Sequence, residues 1–226
     1  MDQNEQRSKR NDGVRPENSG KSTQTVKHVK LDLERPKLTK EGNADQGRKR
    51  PRSRKRSFDS SKKDRGATLK IIPLGGLDAI GKNMTVFECK GDMVLDDAGL
   101  MFPDDNHPGV DLILPDYTYV LQHADKLRGI VITHGHEDHT GSLPYLIKDL
   151  DRQVPIYGTK MTLGLIEGKF KEHRIKNAKL VEIKPGDKVN LGCITAEFFA
   201  VNHSIPGAVG VFFQSPAGNV LHTGDF

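Results

Sequence analysis

Short apolar runs separated by turn residues dominate the chain from residue 69 onward. Such runs are typical of strands when glycine, proline and aspartate lie between them. Strands are therefore predicted at 69–74, 85–89, 93–95, 129–133 and 155–158, with four or five more within 180–222. Helices are predicted at 140–150, where Pro144 fits only the first turn, and at 160–173. Many strands with helices inserted between some of them predict an α/β fold with mixed sheets.

Residues 1–66 differ in composition from the rest of the chain. They contain 20 Lys or Arg against 10 Asp or Glu, and Phe58 is their one aromatic residue. Such a segment buries too little apolar surface to offset the entropy lost on ordering, so it is predicted to be a disordered, basic extension. The folded domain is then predicted to span 67–226, where 15 basic residues stand against 20 acidic ones.

A dense basic segment lies near the end of this extension. Seven of the nine residues from 48 to 56 are cationic, namely Arg48, Lys49, Arg50, Arg52, Arg54, Lys55 and Arg56. One interpretation is an electrostatic arm that binds RNA phosphates and releases their counterions. The other is a solvated linker that its own charge repulsion holds open. No aromatic residue within 48–56 offers base stacking in support of the first.

The cysteines and the lack of long apolar runs bear on the environment of the protein. Cys89 and Cys193 are far apart in strand-like surroundings without ligand-spaced companions, so both are predicted to be buried free thiols. No apolar run reaches the length of a membrane span, and the N-terminus lacks the apolar segment of a signal peptide. A soluble, cytoplasmic protein without a membrane partner is predicted.

The segment after the predicted strand 129–133 carries the clearest chemistry. His134, His136, Asp138 and His139 fall within six positions. Imidazole nitrogen and carboxylate oxygen are the ligands of zinc sites that stay open for chemistry. Residues two apart in an extended segment project to the same side, so His134 and His136 are predicted to reach one metal ion. Asp138 and His139, where the chain turns into a helix, are predicted to point to a second. A solvated histidine-rich loop is the alternative, which this density of ligands disfavours.

Two later residues fit the same site. His203 ends an apolar run and precedes the loop with Pro206 and Gly207, which suits a third ligand for the first metal ion. Asp225 also follows an apolar run, and a carboxylate there would bridge two cations. Each is weak support by itself, because surface or core histidines and Gly-Asp turns are common.

The complete pattern resembles the metallo-β-lactamase superfamily over most of residues 69–226. The resemblance implies the αββα sandwich of that superfamily, of which the chain would contain the first half. It also implies two zinc ions held by histidine and aspartate. The matching ligands are His134, His136 and His203 for the first ion, Asp138 and His139 for the second, and Asp225 as the bridge.

Three acidic residues have further roles under this resemblance. Asp97 matches the aspartate after the third strand and would orient metal ligands by hydrogen bonds rather than bind a metal itself. Its neighbour Asp96 is either solvated or partnered. Asp138 would be the catalytic residue: it would orient a hydroxide shared by the two zinc ions or accept its proton.

Flanking segments are similar to one nuclease family of this superfamily, ribonuclease J, in the β-CASP group. These segments are 73–84, 99–103, 108–116, 201–206 and 222–226, with one departure at Asp78-Ala79 where Gly-Glu is expected. The resemblance implies a cytoplasmic, metal-dependent ribonuclease of RNA processing and decay, with endonuclease and 5′-to-3′ exonuclease activity. It also implies RNA as partner, two Zn²⁺ per full-length subunit with Mn²⁺ as the alternative, and a homodimer or homotetramer.

The sequence stops at Phe226, directly after Asp225, and this bears on how much of the superfamily domain the chain would contain. In ribonuclease J the β-CASP insertion, a further histidine ligand and the second half of the sandwich would follow. The chain is therefore expected to be an N-terminal fragment with little or no activity on RNA by itself. Two other functions stay open. One is a small-molecule hydrolase of the same fold, such as a thioesterase or lactonase, and the other is an inactive product that binds RNA through 48–56.

Overall fold

The computed structural model describes residues 66–226, which form ten strands and four α-helices. The strands are β1 (Leu69–Gly75), β2 (Met84–Cys89), β3 (Asp92–Asp96), β4 (Leu127–Val131), β5 (Pro155–Gly158), β6 (Lys179–Glu182), β7 (Lys188–Leu191), β8 (Ile194–Ala200), β9 (Val209–Ser215) and β10 (Gly218–His222). The helices are α1 (Thr118–Gln122), α2 (Glu137–Thr140), α3 (Leu143–Asp149) and α4 (Lys160–Glu172), and a 3-10 turn, Ala124–Lys126, follows α1. The predicted extension 1–66 lies outside the described residues apart from Gly66, and its boundary stays a prediction.

Six strands form the first sheet, in the order β1-β2-β3-β4-β5-β6. Strands β1 to β3 pair antiparallel, and β3 to β6 pair in parallel. The β2–β3 turn holds Lys90 and Gly91 at φ 49° and 83°, the left-handed values that a tight two-residue hairpin requires. Helices precede β4, β5 and β6, because parallel neighbours need a crossover rather than a tight turn. The sheet is mixed, as predicted.

Four strands form the second sheet, in the order β10-β9-β8-β7, and all of its pairs are antiparallel. In β8, Ile194, Ala196 and Phe198 are buried while the residues between them are partly exposed. This period of two is expected where one face of a sheet packs on a core.

Two hydrophobic clusters define the layers of the domain. The first packs helical residues such as Ile166 against Val86 and Ile130 of the first sheet. The second lies between the two sheets and joins Phe87 to Phe198. The described residues therefore form three layers, helices on sheet on sheet, which confirms the α/β class and agrees with the first half of an αββα sandwich.

The helices differ from the sequence prediction in two places. The helix expected at 140–150 is α3, which has Pro144 in its first turn as expected, and the separate short helix α2 precedes it. The sequence does not predict α1, because its five residues bury only Val120 and have no side-chain N-cap. None of the helices within 66–226 is long and apolar enough to cross a membrane.

Both cysteines are free, as predicted. Cys89 is buried, whereas Cys193 is only partly buried. The Cys193 thiol donates a hydrogen bond to the Cys89 carbonyl over 2.9 Å, so the two residues meet where the sheets pack together.

Gly99 marks a point where three segments are joined. Its N–H donates to the carbonyl of Asn83 over 2.8 Å, and the Asn83 N–H donates to the carbonyl of Asp138 over 3.0 Å. The Asp138 carbonyl lies so close to Gly99 that an added Cβ would overlap it. Only glycine therefore lets the segment after β3 pass this close to α2.

The Gly99→Ala variant is expected to lose roughly 2 kcal/mol or more of unfolding free energy, because the new Cβ overlaps backbone that cannot turn away. Denaturant unfolding measures the loss. The matched control is Gly168→Ala on the exposed face of α4, where an added Cβ meets open space. It is expected to stabilise the domain by up to about 1 kcal/mol. Equal stability of Gly99→Ala and wild type would contradict this account of the crossing.

Candidate metal centre

Four chain segments converge at one end of the two sheets, after β3, β4, β8 and β10. Strands β3 and β4 are parallel neighbours, so the segments that follow them lie side by side, where α/β proteins commonly bind ligands. The Val209 N–H donates to the Thr133 carbonyl over 3.0 Å, which ties the end of β4 to the second sheet. Gly224, at φ 60°, lies against the same two residues and directs the chain toward Asp225.

Three histidines bring ring nitrogens together in a first group. His134 Nε2 is 3.0 Å from His136 Nδ1, and His203 Nε2 is 3.2 Å from that same atom. The potential ligand atoms of all three residues lie within 4.8 Å of one another. Zinc–nitrogen bonds of about 2.0–2.1 Å in a tetrahedron place neighbouring ligand atoms roughly 3.3 Å apart. The group therefore fits a metal ion of that size.

A second group adjoins the first and shares His134 with it. The potential ligand atoms of His134, His139 and Asp225 also lie within 4.8 Å of one another. Asp225 Oδ2 is 3.4 Å from His139 Nε2 and 3.8 Å from His203 Nε2, so this carboxylate lies between the two groups. Asp138 Oδ2 is 3.5 Å from His139 Nε2. All six residues that the sequence analysis selects as ligands thus meet at one place.

The carboxylate of Asp97 contacts the Nδ1 side of the His139 ring. Asp97 Oδ1 accepts a hydrogen bond from the Thr133 N–H over 2.8 Å, and the Thr133 hydroxyl donates to Oδ2 over 2.9 Å. His139 Nδ1 lies 2.7 Å from Asp97 Oδ2. Because Nδ1 is directed at this carboxylate, Nε2 of His139 faces the centre. The contact is of the kind expected from a residue that orients a metal ligand.

Burial and charge act differently on two of the histidines. Burial lowers the pKa of His139, but the charge and hydrogen bond of Asp97 outweigh burial and raise this pKa to about 9. Burial, together with the positive charge of His139, lowers the pKa of His134 to about 4. His134 is therefore neutral at pH 7, the form that binds metal ions. His139 holds a proton in the metal-free protein, which a metal ion at Nε2 must displace.

Asn83 is a residue of this centre that the sequence analysis does not identify. Its Nδ2 is 3.3 Å from Asp138 Oδ2 and 3.1 Å from His139 Nε2. The residue stands 55 positions before Asp138 in the chain. A single asparagine after a glycine-rich loop carries no catalytic or metal-ligand signature, so only the folded arrangement shows its proximity.

Asp96, whose surroundings the sequence leaves open, has a partner. Its side chain is buried, and its Oδ2 is 2.9 Å from His222 Nδ1. The charge of Asp96 raises the pKa of His222 to about 9. The adjacent residues Asp96 and Asp97 therefore face different histidines, His222 on β10 and His139 on α2.

The seven cations of the basic segment 48–56 lie outside the described residues, and their role in RNA binding stays a prediction.

Several known proteins are similar to this chain. A family model described as the beta-lactamase superfamily domain matches residues 107–226. The chain is 46% identical over 157 residues to ribonuclease J of Mycolicibacterium smegmatis, which covers 70% of this chain and 28% of that protein. It is 44% identical over 164 residues to ribonuclease J of Thermus thermophilus, with 70% and 29% covered. The chain thus spans less than a third of the length of these curated relatives.

A solved structure supports the fold independently of sequence identity. The crystal structure of a protein of unknown function from Enterococcus faecalis matches with a TM-score of 0.54 at 18% identity, and the match covers 70% of this chain and 43% of that one. At this identity the likeness shows the fold alone.

The Asp97→Asn variant is expected to lower the pKa of His139 from its wild-type value of about 9, because burial remains while the charge of Asp97, the largest contribution that raises this pKa, is lost. An NMR titration of the metal-free protein measures this pKa directly, and the His139 ring is expected to lose its proton at a lower pH in the variant than in wild type. Zinc affinity is expected to fall roughly 10- to 100-fold.

The control for this variant is Asp104→Asn. Asp104 contacts His107 over 2.6 Å in an exposed loop, so its loss is expected to leave the His139 titration and zinc affinity unchanged. A His139 pKa that stays near 9 in Asp97→Asn would show that Asp97 does not set it.

Proposed function

This chain belongs to the beta-lactamase superfamily, and from that premise we propose that it is a zinc-dependent hydrolase acting on phosphodiester bonds of RNA. The observation that carries the proposal is the meeting of His134, His136 and His203 with Asp138, His139 and Asp225 in two adjoining groups. Similarity to two bacterial ribonucleases J directs the choice of RNA among the substrates of the superfamily.

The proposed ligand sets follow the two groups of side chains. The first ion is bound by His134, His136 and His203, whose ring nitrogens converge within 4.8 Å. The second would be held by Asp138 and His139, and the Asp225 carboxylate, which lies 3.4 Å from His139 Nε2 and 3.8 Å from His203 Nε2, would serve both groups. Four imidazoles favour zinc over manganese, although the carboxylates leave Mn²⁺ as the alternative.

Zinc bound in this centre would supply Lewis-acid chemistry, which would make a water-derived nucleophile available near neutral pH and would offset negative charge on phosphoryl oxygens. Asp138 is the proposed proton acceptor for the attacking water. The neighbouring Glu137 does not compete, because its carboxylate pairs with Lys169 on α4 over 2.5 Å. Asp97 keeps His139 in place through the 2.7 Å contact at Nδ1.

The remaining proposals concern the whole protein. We propose that it takes part in RNA processing and decay in the cytoplasm, with endonuclease and 5′-to-3′ exonuclease activity, and that it assembles as a homodimer or homotetramer. They rest on the similarity to ribonuclease J, of which the chain spans 28–29% of the length. Hydrolysis of a thioester or lactone by the same centre is the competing outcome in any assay.

Zinc content tests the centre itself. Elemental analysis of wild type is expected to find about two zinc ions per chain. His134→Ala and Asp225→Ala are both expected to lower this number, and to abolish whatever RNA cleavage the chain shows, while thioester hydrolysis stays absent throughout. His173→Ala is the control, because the partly buried side chain of this histidine contacts Lys148 and Tyr145, which lie outside the metal centre. A folded wild type that binds no zinc would overturn the proposal.

The basic segment 48–56 gives a separate test of RNA binding. Replacement of its seven cations by glutamine is expected to weaken RNA binding and to flatten its salt dependence by up to about five in log–log slope, because fewer counterions are released. Zinc content is expected to stay at the wild-type level. Filter-binding titrations at several salt concentrations measure the slope. An unchanged slope would mean that the segment is a linker that makes no phosphate contacts.

A further inference from the structure

We propose that Asn83 binds the substrate directly, through a hydrogen bond from its side-chain amide to a non-bridging oxygen of the phosphate group. The inference rests on the proposed function above and adds to it a residue outside the metal-ligand set. It starts from the position of Nδ2, which is 3.3 Å from Asp138 Oδ2 and 3.1 Å from His139 Nε2.

The position of Asn83 is held by the backbone on both sides. Its N–H donates to the Asp138 carbonyl over 3.0 Å, and its carbonyl accepts from the Gly99 N–H over 2.8 Å. The Oδ1 side of the amide is closed by Gly76, where an added Cβ would lie 2.7 Å from Oδ1. The NH₂ side therefore faces the centre, and a donor held this firmly loses little entropy when it binds an anion.

The two N–H bonds of this amide have different partners. One N–H is within reach of Asp138 Oδ2, which accepts hydrogen bonds when the carboxylate is ionised. The other is directed at His139 Nε2. A ring nitrogen that binds a metal ion has no lone pair left to accept a hydrogen bond. When the centre is loaded, the second N–H therefore lacks an acceptor at this position, and an anion oxygen satisfies it.

Space for such an anion exists beside the amide. A cavity of about 280 Å³ has Asn83, Asp96, Asp97, His139, His222 and Asp225 among the residues that line it. A neutral amide can donate a hydrogen bond to an anion. Because it carries no positive charge, it does not compete with the metal ions for the carboxylates. Donors fixed next to developing negative charge are the arrangement that stabilises transition states of this kind.

The test uses the full chain loaded with zinc, and inorganic phosphate as the probe in isothermal titration calorimetry. Asn83→Ala is expected to keep the wild-type zinc content but to weaken phosphate binding roughly tenfold or more, as for loss of a hydrogen bond to a charged group. Asn83→Asp, which keeps the shape of the side chain but replaces the donor by a carboxylate, is expected to weaken it further. Asn190→Ala on β7, whose side chain accepts only from Thr195 among the described contacts, is expected to change neither quantity.

The outcomes separate this inference from the proposed function. Wild-type phosphate affinity in Asn83→Ala and Asn83→Asp at full zinc content would overturn the inference and leave the proposed function standing. Loss of zinc from both variants would also overturn it, because Asn83 would then be a positioning residue for Asp138 and His139. A wild type without zinc would remove the proposed function and the inference together.

Discussion

The buried carboxylate of Asp97 is the contact on which the geometry of the centre depends. Asp97 has φ 59°, a left-handed conformation that is unfavourable for a residue other than glycine. Its surroundings hold it there: the Asp97 N–H donates to the Val131 carbonyl over 2.8 Å, and the side chain receives the N–H and hydroxyl of Thr133. The same carboxylate lies 2.7 Å from His139 Nδ1. One residue thus joins the ends of β3 and β4 to α2.

The centre also depends on the packing of one sheet against the other. The histidines from 134 to 139 follow the first sheet, whereas His203 and Asp225 follow strands of the second. These parts stay in register because apolar side chains fill the space between the sheets, for example Phe87 and Phe213, whose ring centroids are 4.3 Å apart.

Much of this arrangement is predictable because its signals are local in the sequence. The strands appear as apolar runs bounded by turns, and the ligand-rich segment after β4 is dense enough to stand out by itself. His203 and Asp225 are weaker signals that gain meaning from the family resemblance. Asn83 and the Asp96–His222 pair are different, because nothing near them in sequence indicates their partners. Asn83 lies beside Asp138 only in the folded chain, where its N–H donates to the Asp138 carbonyl, and Asp96 meets His222 only when the two sheets pack.

Helix α1 could not be predicted for a different reason. A helix of five residues with one buried side chain has no detectable periodicity. The pKa values of the histidines in the centre could not be predicted from the sequence either. His134 and His139 belong to one short motif, yet the pKa of one is about 4 and that of the other about 9. The Asp97 carboxylate contacts the His139 ring and raises its pKa, whereas burial and the positive charge of His139 prevail at His134.

We propose that the six converging side chains form a single two-metal centre. Anomalous diffraction at the zinc absorption edge, from crystals grown with zinc, tests it most directly. Two peaks are predicted. One lies between His134, His136 and His203, and the other lies beside Asp138 and His139, with Asp225 between the two peaks. A single peak at another part of the chain, or no peak at these residues in a folded protein, would contradict it.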